Sequence, residues 1–348
     1  MSESDALFEN HCTRGPMMVS LSSFRVVAVV ILMLVIESIS SATGPVKEAP
    51  ENCPRFSLPQ LLVKAPFNFA GESVPIQRPD VRARILTQVN FLLLDARSVL
   101  TEWLIEKGRY SWLFTDLLEK EGIPPDFALL APILSGSSLK SSSRSGGTGW
   151  WALDKPCSST EGVDMSDDSW HDDRFDLELS TRCFASKLKK IRSEMGNSSW
   201  LMTAAAYVTS VKVIRDSCQR WNTDYYWDMP LPEAAEDLIV RWIALGIISG
   251  HREAFGLRFK DAVPFIFDQV NGLVLAKDLS VPDIARLASV SAREVMELNP
   301  KVKPSLPVFP ATVNGRNVTH SIAAPKGKGE QLLKGLKKEG FVSDVQKP

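Results

Sequence analysis

No stretch of this chain is long and apolar enough to span a bilayer comfortably. The longest apolar run, Val26 to Ile36, is about half of the roughly 20 residues that a hydrocarbon core about 30 Å thick requires. Excess positive charge is missing too: 40 Lys and Arg against 41 Asp and Glu leave a formal charge of -1, and no basic stripe carries interleaved aromatics. That removes the electrostatic footprint of a nucleic-acid-binding protein. Histidine is scarce, with 4 residues, and the 5 cysteines follow no CxxC or His-rich spacing, so no zinc site is expected and no cofactor motif is found. Strand-like alternation is rare before residue 260, and no Asp or Glu lies between Asp126 and Asp154.

What is present suffices for two compact domains, since 44% of residues are apolar and 23% charged. From Met17 to Gly44 the layout is that of a secretory signal: Arg25, the apolar run, then the small residues Ser40, Ser41 and Ala42. Cleavage after Ala42 is expected, and Met17 or Met18 reads as the start, with retention of the segment as a membrane anchor the alternative. No cysteine follows the small residues directly, so the lipid-modified type of signal is not indicated. Export permits disulfides, and Cys53, Cys157, Cys183 and Cys218 allow three pairings that the sequence does not choose between.

Residues 43 to 80 are proline-rich without periodicity and read as a linker. Helical spacing of Leu86, Val89, Leu93, Ala96, Leu100 and Leu104 predicts a long helix over 82–106, followed by a second over 110–121. Pro124 and Pro125 open a third, Asp126 to Leu134, which Ser135 and Gly136 stop. A Ser/Gly-rich stretch over 137–149 precedes an acidic loop, Glu161 to Glu178. Its spacing fits no EF-hand, so it reads as a solvated loop with His171 as a surface imidazolium. Helical periodicity returns over 177–195, 200–220 and 232–250. The last ninety residues change to a strand (Phe265 to Leu275), helices over 281–288 and 291–298, a strand (Val318 to Ala323) and a basic tail, which make a small α+β module. Asn317 to Thr319 forms a glycosylation sequon.

Five ordered segments carry a family resemblance: GIPPDFALLAPILSG (Gly122 to Gly136), GGTGWWAL (Gly146 to Leu153), WHDDRFDLELSTRCFASKLKK (Trp170 to Lys190), WLMTAAAYVTS (Trp200 to Ser210) and the segment from Trp227 to Ile248. Together they resemble the lytic transglycosylases of the SLT type, lysozyme-like enzymes, and most closely their membrane-bound D-type members. The resemblance implies a mainly α fold, with a lytic-transglycosylase-like helical domain over 81–254. It also implies a degenerate LysM-like module with a basic tail over 255–348, after an extension and signal over 1–42 and the linker over 43–80. The family cleaves peptidoglycan glycan strands with one carboxylic acid that serves as proton donor and then acceptor, a role requiring a partly apolar cleft that raises its pKa.

In the register set by Pro124, Pro125, Ala128, Leu129, Leu130, Ser135 and Gly136, that acid's position holds Leu134. Ala152 stands for the groove glutamine, Val208 for the asparagine after Ala-Ala-Tyr, and Leu238 for a tyrosine, while the packing residues Trp151, Trp200, Ala205, Ala206 and Tyr207 remain. The resemblance therefore implies a catalytically degenerate relative, with no catalytic residue. Its old groove (Ser135, Gly136, Gly149, Trp150, Trp151, Ala152, Tyr207, Val208) would bind glycan strands or a cell-wall enzyme in the periplasm. Trp150, in place of a leucine, reads as a candidate sugar contact, and Tyr207 reads equally as a glycan partner or a packed core residue. Two alternatives stay open: an active enzyme using a relocated carboxylate such as Asp154, Asp173 or Asp176, and an interaction module whose apolar groove docks a partner peptide.

Overall fold

The computed structural model describes residues 67–136, 147–196, 199–260 and 262–345. The signal-like segment, residues 43–66 of the linker, Cys53 and most of the Ser/Gly-rich stretch lie outside the described residues. Among those described, no helix is long and apolar enough to cross a membrane.

The linker expected up to residue 80 ends at Phe67. A hairpin of β1 (Phe67–Phe69) and β2 (Glu72–Val74) pairs Phe67 with Val74, and turns through Ala70 and Gly71, both at positive φ. Phe69 anchors it in the core, edge-on to Trp242 at 4.8 Å between ring centroids. A Cβ on Gly246 would come within 2.4 Å of the Phe69 ring, so a glycine there lets the hairpin sit directly on a helix. Three-residue strands leave no periodic trace in a sequence, which is why this element read as linker.

Helix α1 (Pro79–Asn90) starts on Pro79 as expected of a first-turn proline. A π-helical turn, Phe91–Asp95, closed by the Ala96 N–H donating to the Phe91 carbonyl at 2.8 Å, separates it from α2 (Arg97–Lys120). The two helices expected over 82–106 and 110–121 are therefore redivided: the break falls at residues 91–96 and the second helix runs unbroken through 106–110. The inserted turn shifts the buried face while the apolar spacing continues across it. Pro125–Leu129 forms a 3₁₀ turn leading into the short α3 (Leu130–Ser135), which Gly136 ends in the left-handed conformation at φ 67°.

Helix α4 (Leu177–Glu194) is capped by Asp176, whose carboxylate accepts from the Glu178 and Leu179 N–H groups. Ser199 and Ser210 likewise cap α5 (Trp200–Val208) and α6 (Val211–Trp221), and α7 (Glu233–Gly250) completes the helical region. Its core centres on Phe127, Trp151, Phe184, Trp242 and the apolar faces of α1, α2 and α7. The sequence leaves three cysteine pairings open, and the structure pairs Cys157 with Cys183; among the described residues Cys218 is free and half-buried.

The C-terminal residues form β3 (Phe267–Leu275), β4 (Leu279–Ser280), α8 (Val281–Ala288), α9 (Ala292–Leu298), β5 (Val308–Phe309), β6 (Thr312–Val313), β7 (Arg316–Asn317), β8 (Thr319–Pro325), α10 (Gly329–Lys338) and β9 (Val342–Val345). Antiparallel β8, β3 and β9 make a three-stranded sheet in that order, with Phe267 opposite Pro325 and Leu273 opposite Val345. Helices α8 and α9 begin on Ser280 and Ser291, the latter in a reciprocal capping box with Glu294. A second apolar core lies between this sheet and α8–α10, and Trp170, from the acidic loop of the helical region, is part of it.

Candidate functional site

The residues singled out by the sequence lie at the end of α3, in the turn over 147–153 and at the end of α5, the last two joined by a hydrogen bond from Tyr207 to the Trp151 carbonyl. Leu134 is 8% exposed and Ser135 3%, both packed in the helical core, while Gly136 is exposed. In the turn, Thr148 and Leu153 exchange two backbone hydrogen bonds of 2.9 Å, a close return that needs small residues. A Cβ on Gly147 would meet the Ala152 carbonyl at 2.0 Å, and one on Gly149 would meet the Arg174 carbonyl at 2.0 Å. Ala152 itself is held at φ 49°, a conformation costly for a residue with a side chain.

Trp151 stacks on Phe184 at 4.0 Å, and its indole N–H donates to the Thr181 hydroxyl at 3.0 Å. Tyr207, T-shaped against Phe184, donates its hydroxyl to the Trp151 carbonyl at 2.6 Å. Burial, with a smaller contribution from Asp154, drives its phenol pKa far above the ordinary value, so the group stays a neutral donor. Of the two roles open to Tyr207, the observed bond supports the packed one. Val208 and Leu238 are half-buried against the core.

Trp150 departs from the expectation of a sugar contact. It is 1% exposed and wedged between Tyr110 and Phe114 at 4.5 and 5.2 Å between centroids, so no face of the indole is left for a pyranose. Adjacent tryptophans on a tight turn can both point inward, which pattern alone does not show.

The three carboxylates weighed as relocated acids are each occupied. Asp154 is exposed, its side chain 78% accessible, and lies 3.6 Å from the Lys187 ammonium. Asp176 caps α4 and pairs with Lys301 at 2.9 Å. Asp173 is buried, which by itself raises its pKa, but hydrogen bonds from His171 and the Ser166 N–H, with His171 and Lys301 charge nearby, hold it below the usual carboxylate range. A general acid needs the opposite shift. The groups that do shift upward, through burial, are Glu72, Glu106 and Asp126. Glu72 accepts the Trp200 N–H, and Asp126 accepts the Ala70 N–H at 3.0 Å.

The acidic loop is solvated only in part, with Trp170 to Asp173 buried, and His171 is not on the surface. His171 and Asp172 are 8% and 4% exposed. The loop pairs with the segment after α9: the Asp172 N–H donates to the Lys301 carbonyl at 2.9 Å and the Lys303 N–H to the Trp170 carbonyl at 2.8 Å. Ion pairs Lys301–Asp176 and Lys303–Asp167 run alongside, and Arg174 joins Asp172 and Asp167 at 2.8 and 2.7 Å. His171 bonds Asp168 at 2.9 Å through Nδ1 and the Ser166 hydroxyl at 2.9 Å through Nε2. Burial alone would lower its pKa, yet Asp173 and Asp168 outweigh that and raise it. Trp170 inserts beside Phe309 and His320. Charges in one loop and their partners some 130 residues later carry no local pattern, so spacing gave no hint of this seam. Among the described residues no group of His, Cys, Asp and Glu side chains is placed to hold a metal ion.

No profile of a known protein family matches the chain. It is similar to the membrane-bound lytic murein transglycosylase D of Escherichia coli K12 and to that of Escherichia coli O6:H1, each 22% identical over 285 residues, 80% of this chain and 59% of the relative. The chain thus spans 59% of the length of these curated relatives. Its mainly helical build is consistent with the lysozyme-like fold of lytic transglycosylases.

Proposed function

We propose that this protein is a non-catalytic lytic transglycosylase relative that binds peptidoglycan in the periplasm, delivered there by the signal-like N-terminal segment. The observation that carries this reading is Leu134: a hydrocarbon side chain, nearly inaccessible, stands where the resemblance requires a proton donor. Leucine neither gives nor takes a proton, and the candidate substitutes Asp154, Asp173 and Asp176 are exposed, depressed in pKa or committed to a cap and an ion pair. Trp151 donates to Thr181 and accepts through its carbonyl from Tyr207, while Ala152, Val208 and Leu238 offer no polar side-chain group to a sugar. The similarity to murein transglycosylases supports a cell-wall ligand.

The test is incubation of purified protein with sacculi. The protein is expected to pellet with them and to release no 1,6-anhydro-muropeptides under conditions in which the Escherichia coli relative does. Release of anhydro products would overturn the non-catalytic reading. Protein that stays in the supernatant would overturn wall binding in favour of a protein partner in the envelope. Leu134→Glu is expected to stay inactive, because Ala152, Val208 and Leu238 leave the substrate unheld and positioning matters as much as the acid. Placing a carboxyl at this buried position should also destabilise the fold by about 1–3 kcal/mol, read by denaturant titration.

A further inference from the structure

One loop brings a hydroxyl, an imidazole and a carboxylate into a chain. The Ser166 hydroxyl lies 2.9 Å from His171 Nε2, and His171 Nδ1 lies 2.9 Å from Asp168 Oδ1. A carboxylate on Nδ1 keeps the proton of a neutral imidazole on that nitrogen, which leaves the Nε2 lone pair to accept from the serine. Exposure follows the same order, with Ser166 open to solvent and His171 buried behind it. An accessible nucleophile, a shielded base and an acid that orients the base are the roles by which hydrolytic triads are recognised on unrelated folds.

The loop holds these groups in place. The Asp168 N–H donates to the His171 carbonyl at 3.0 Å and the Asp173 N–H to the Ser166 carbonyl at 2.9 Å, which closes a tight hairpin. Trp170 lies against the imidazole at 3.9 Å between centroids. Groups fixed in this way need not be reordered before they react. Asp173 is a second acceptor for the hydroxyl, at 3.2 Å from Oγ, so the shorter contact of Ser166 is to the imidazole. The same carboxylate stands 3.5 Å from Nε2, where it stabilises the imidazolium that forms once the serine proton has moved.

We propose that Ser166, His171 and Asp168 hydrolyse esters of small carboxylic acids. This activity is separate from wall binding and from glycan cleavage, and it depends on neither. Ser166 Oγ attacks the ester carbonyl carbon as its proton passes to His171 Nε2. The bond to the alcohol oxygen then breaks, the alcohol leaves with that proton, and Ser166 is acylated. Water attacks the acyl group next and gives a proton to His171, and the carboxylic acid leaves as this proton returns to Ser166 Oγ. The Asp167 N–H, one residue past the serine, takes no part in the backbone bonding of the hairpin and is a donor for the developing oxyanion. Ser166 lines neither of the cavities of about 420 and 330 Å³, so no long acyl chain is gripped and a small acyl group fits best.

The full chain would be treated with a fluorophosphonate, which phosphonylates an activated serine, and its hydrolysis of p-nitrophenyl acetate followed as a function of pH. An adduct on Ser166 is expected, with a rate that rises as His171 loses its proton. The charged and titratable groups around that imidazole are Asp168 and Asp173 of its own loop, Lys301 after α9 and His320 of β8. Ser166→Ala should abolish the adduct, and both it and His171→Gln should lower kcat/KM by about a hundredfold or more. Asp168 is a positioning residue. Asp168→Asn should slow hydrolysis and move its rise to lower pH, because the carboxylate no longer favours the imidazolium, a shift that a merely structural aspartate would not cause. Thermal unfolding shows whether His171→Gln folds; if it does not, the exposed Ser166→Ala decides. No adduct, an adduct on another residue, or hydrolysis unchanged in folded Ser166→Ala would each overturn the proposal.

Discussion

The turn around Trp151 and the seam around Trp170 each bury an indole, and they surround it in opposite ways. Trp151 stacks on Phe184 and packs edge-on to Phe114, with one hydroxyl for its N–H. Trp170 lies between two histidines, within a loop whose aspartates reach Arg174, Lys301 and Lys303. Polar side chains are thus concentrated where two stretches of chain must be held together. At the positions where the family resemblance would place substrate contacts, Leu134, Ala152, Val208 and Leu238 carry hydrocarbon side chains. Among the described residues, the seam pairs ionic side chains from distant stretches of chain.

The largest expected effect that would break this comparison comes from Trp170→Ala. Emptying an aromatic site in the second core should cost about 3–5 kcal/mol, and calorimetry should show the C-terminal part melting ahead of the helical part. A single transition near the wild-type temperature would mean that the seam contributes little. Next is the disulfide. Cys157 and Cys183, 26 residues apart, bracket the whole acidic segment, so Cys157→Ser with Cys183→Ser should lower stability by about 3 kcal/mol and loosen the same seam. Protease nicking over 158–182 in the variant, absent from the parent, would report it.

The smallest effect is the most discriminating. The folded-state pKa of His171 is raised, so its contribution to stability is complete below its unfolded value of about 6.5 and disappears as pH climbs through the folded value. His320 has the opposite sign. Burial lowers its pKa, so its contribution is present above about 6.5 and is lost as pH falls through its folded value. His171→Gln leaves only the second trend, and its stability should decline on acidification from pH 7.5 to 5.5 more steeply than that of the parent, by on the order of 1 kcal/mol. Parallel pH profiles for the two proteins would remove His171 from the account of the seam.

Elements with a regular period were legible in the sequence. The helices expected over 281–288 and 291–298 are α8 and α9 within a residue, because each has an apolar face and a serine cap. Position 134 was legible as leucine from register alone, and the structure adds that it is buried. The direction in which Trp150 points was not legible, since it is set by Tyr110 and Phe114 on a helix some forty residues earlier. The seam left no trace, because its pairs join residues that only the finished fold brings near.

That Trp170 is carried by one region and belongs to the core of the other has a bearing on how the chain matures. The last ninety residues cannot fill their interior from their own side chains, so an excised C-terminal fragment would fold with a hole where the indole belongs. The indole is covered only when Phe309 and His320, far later in the chain, are in place.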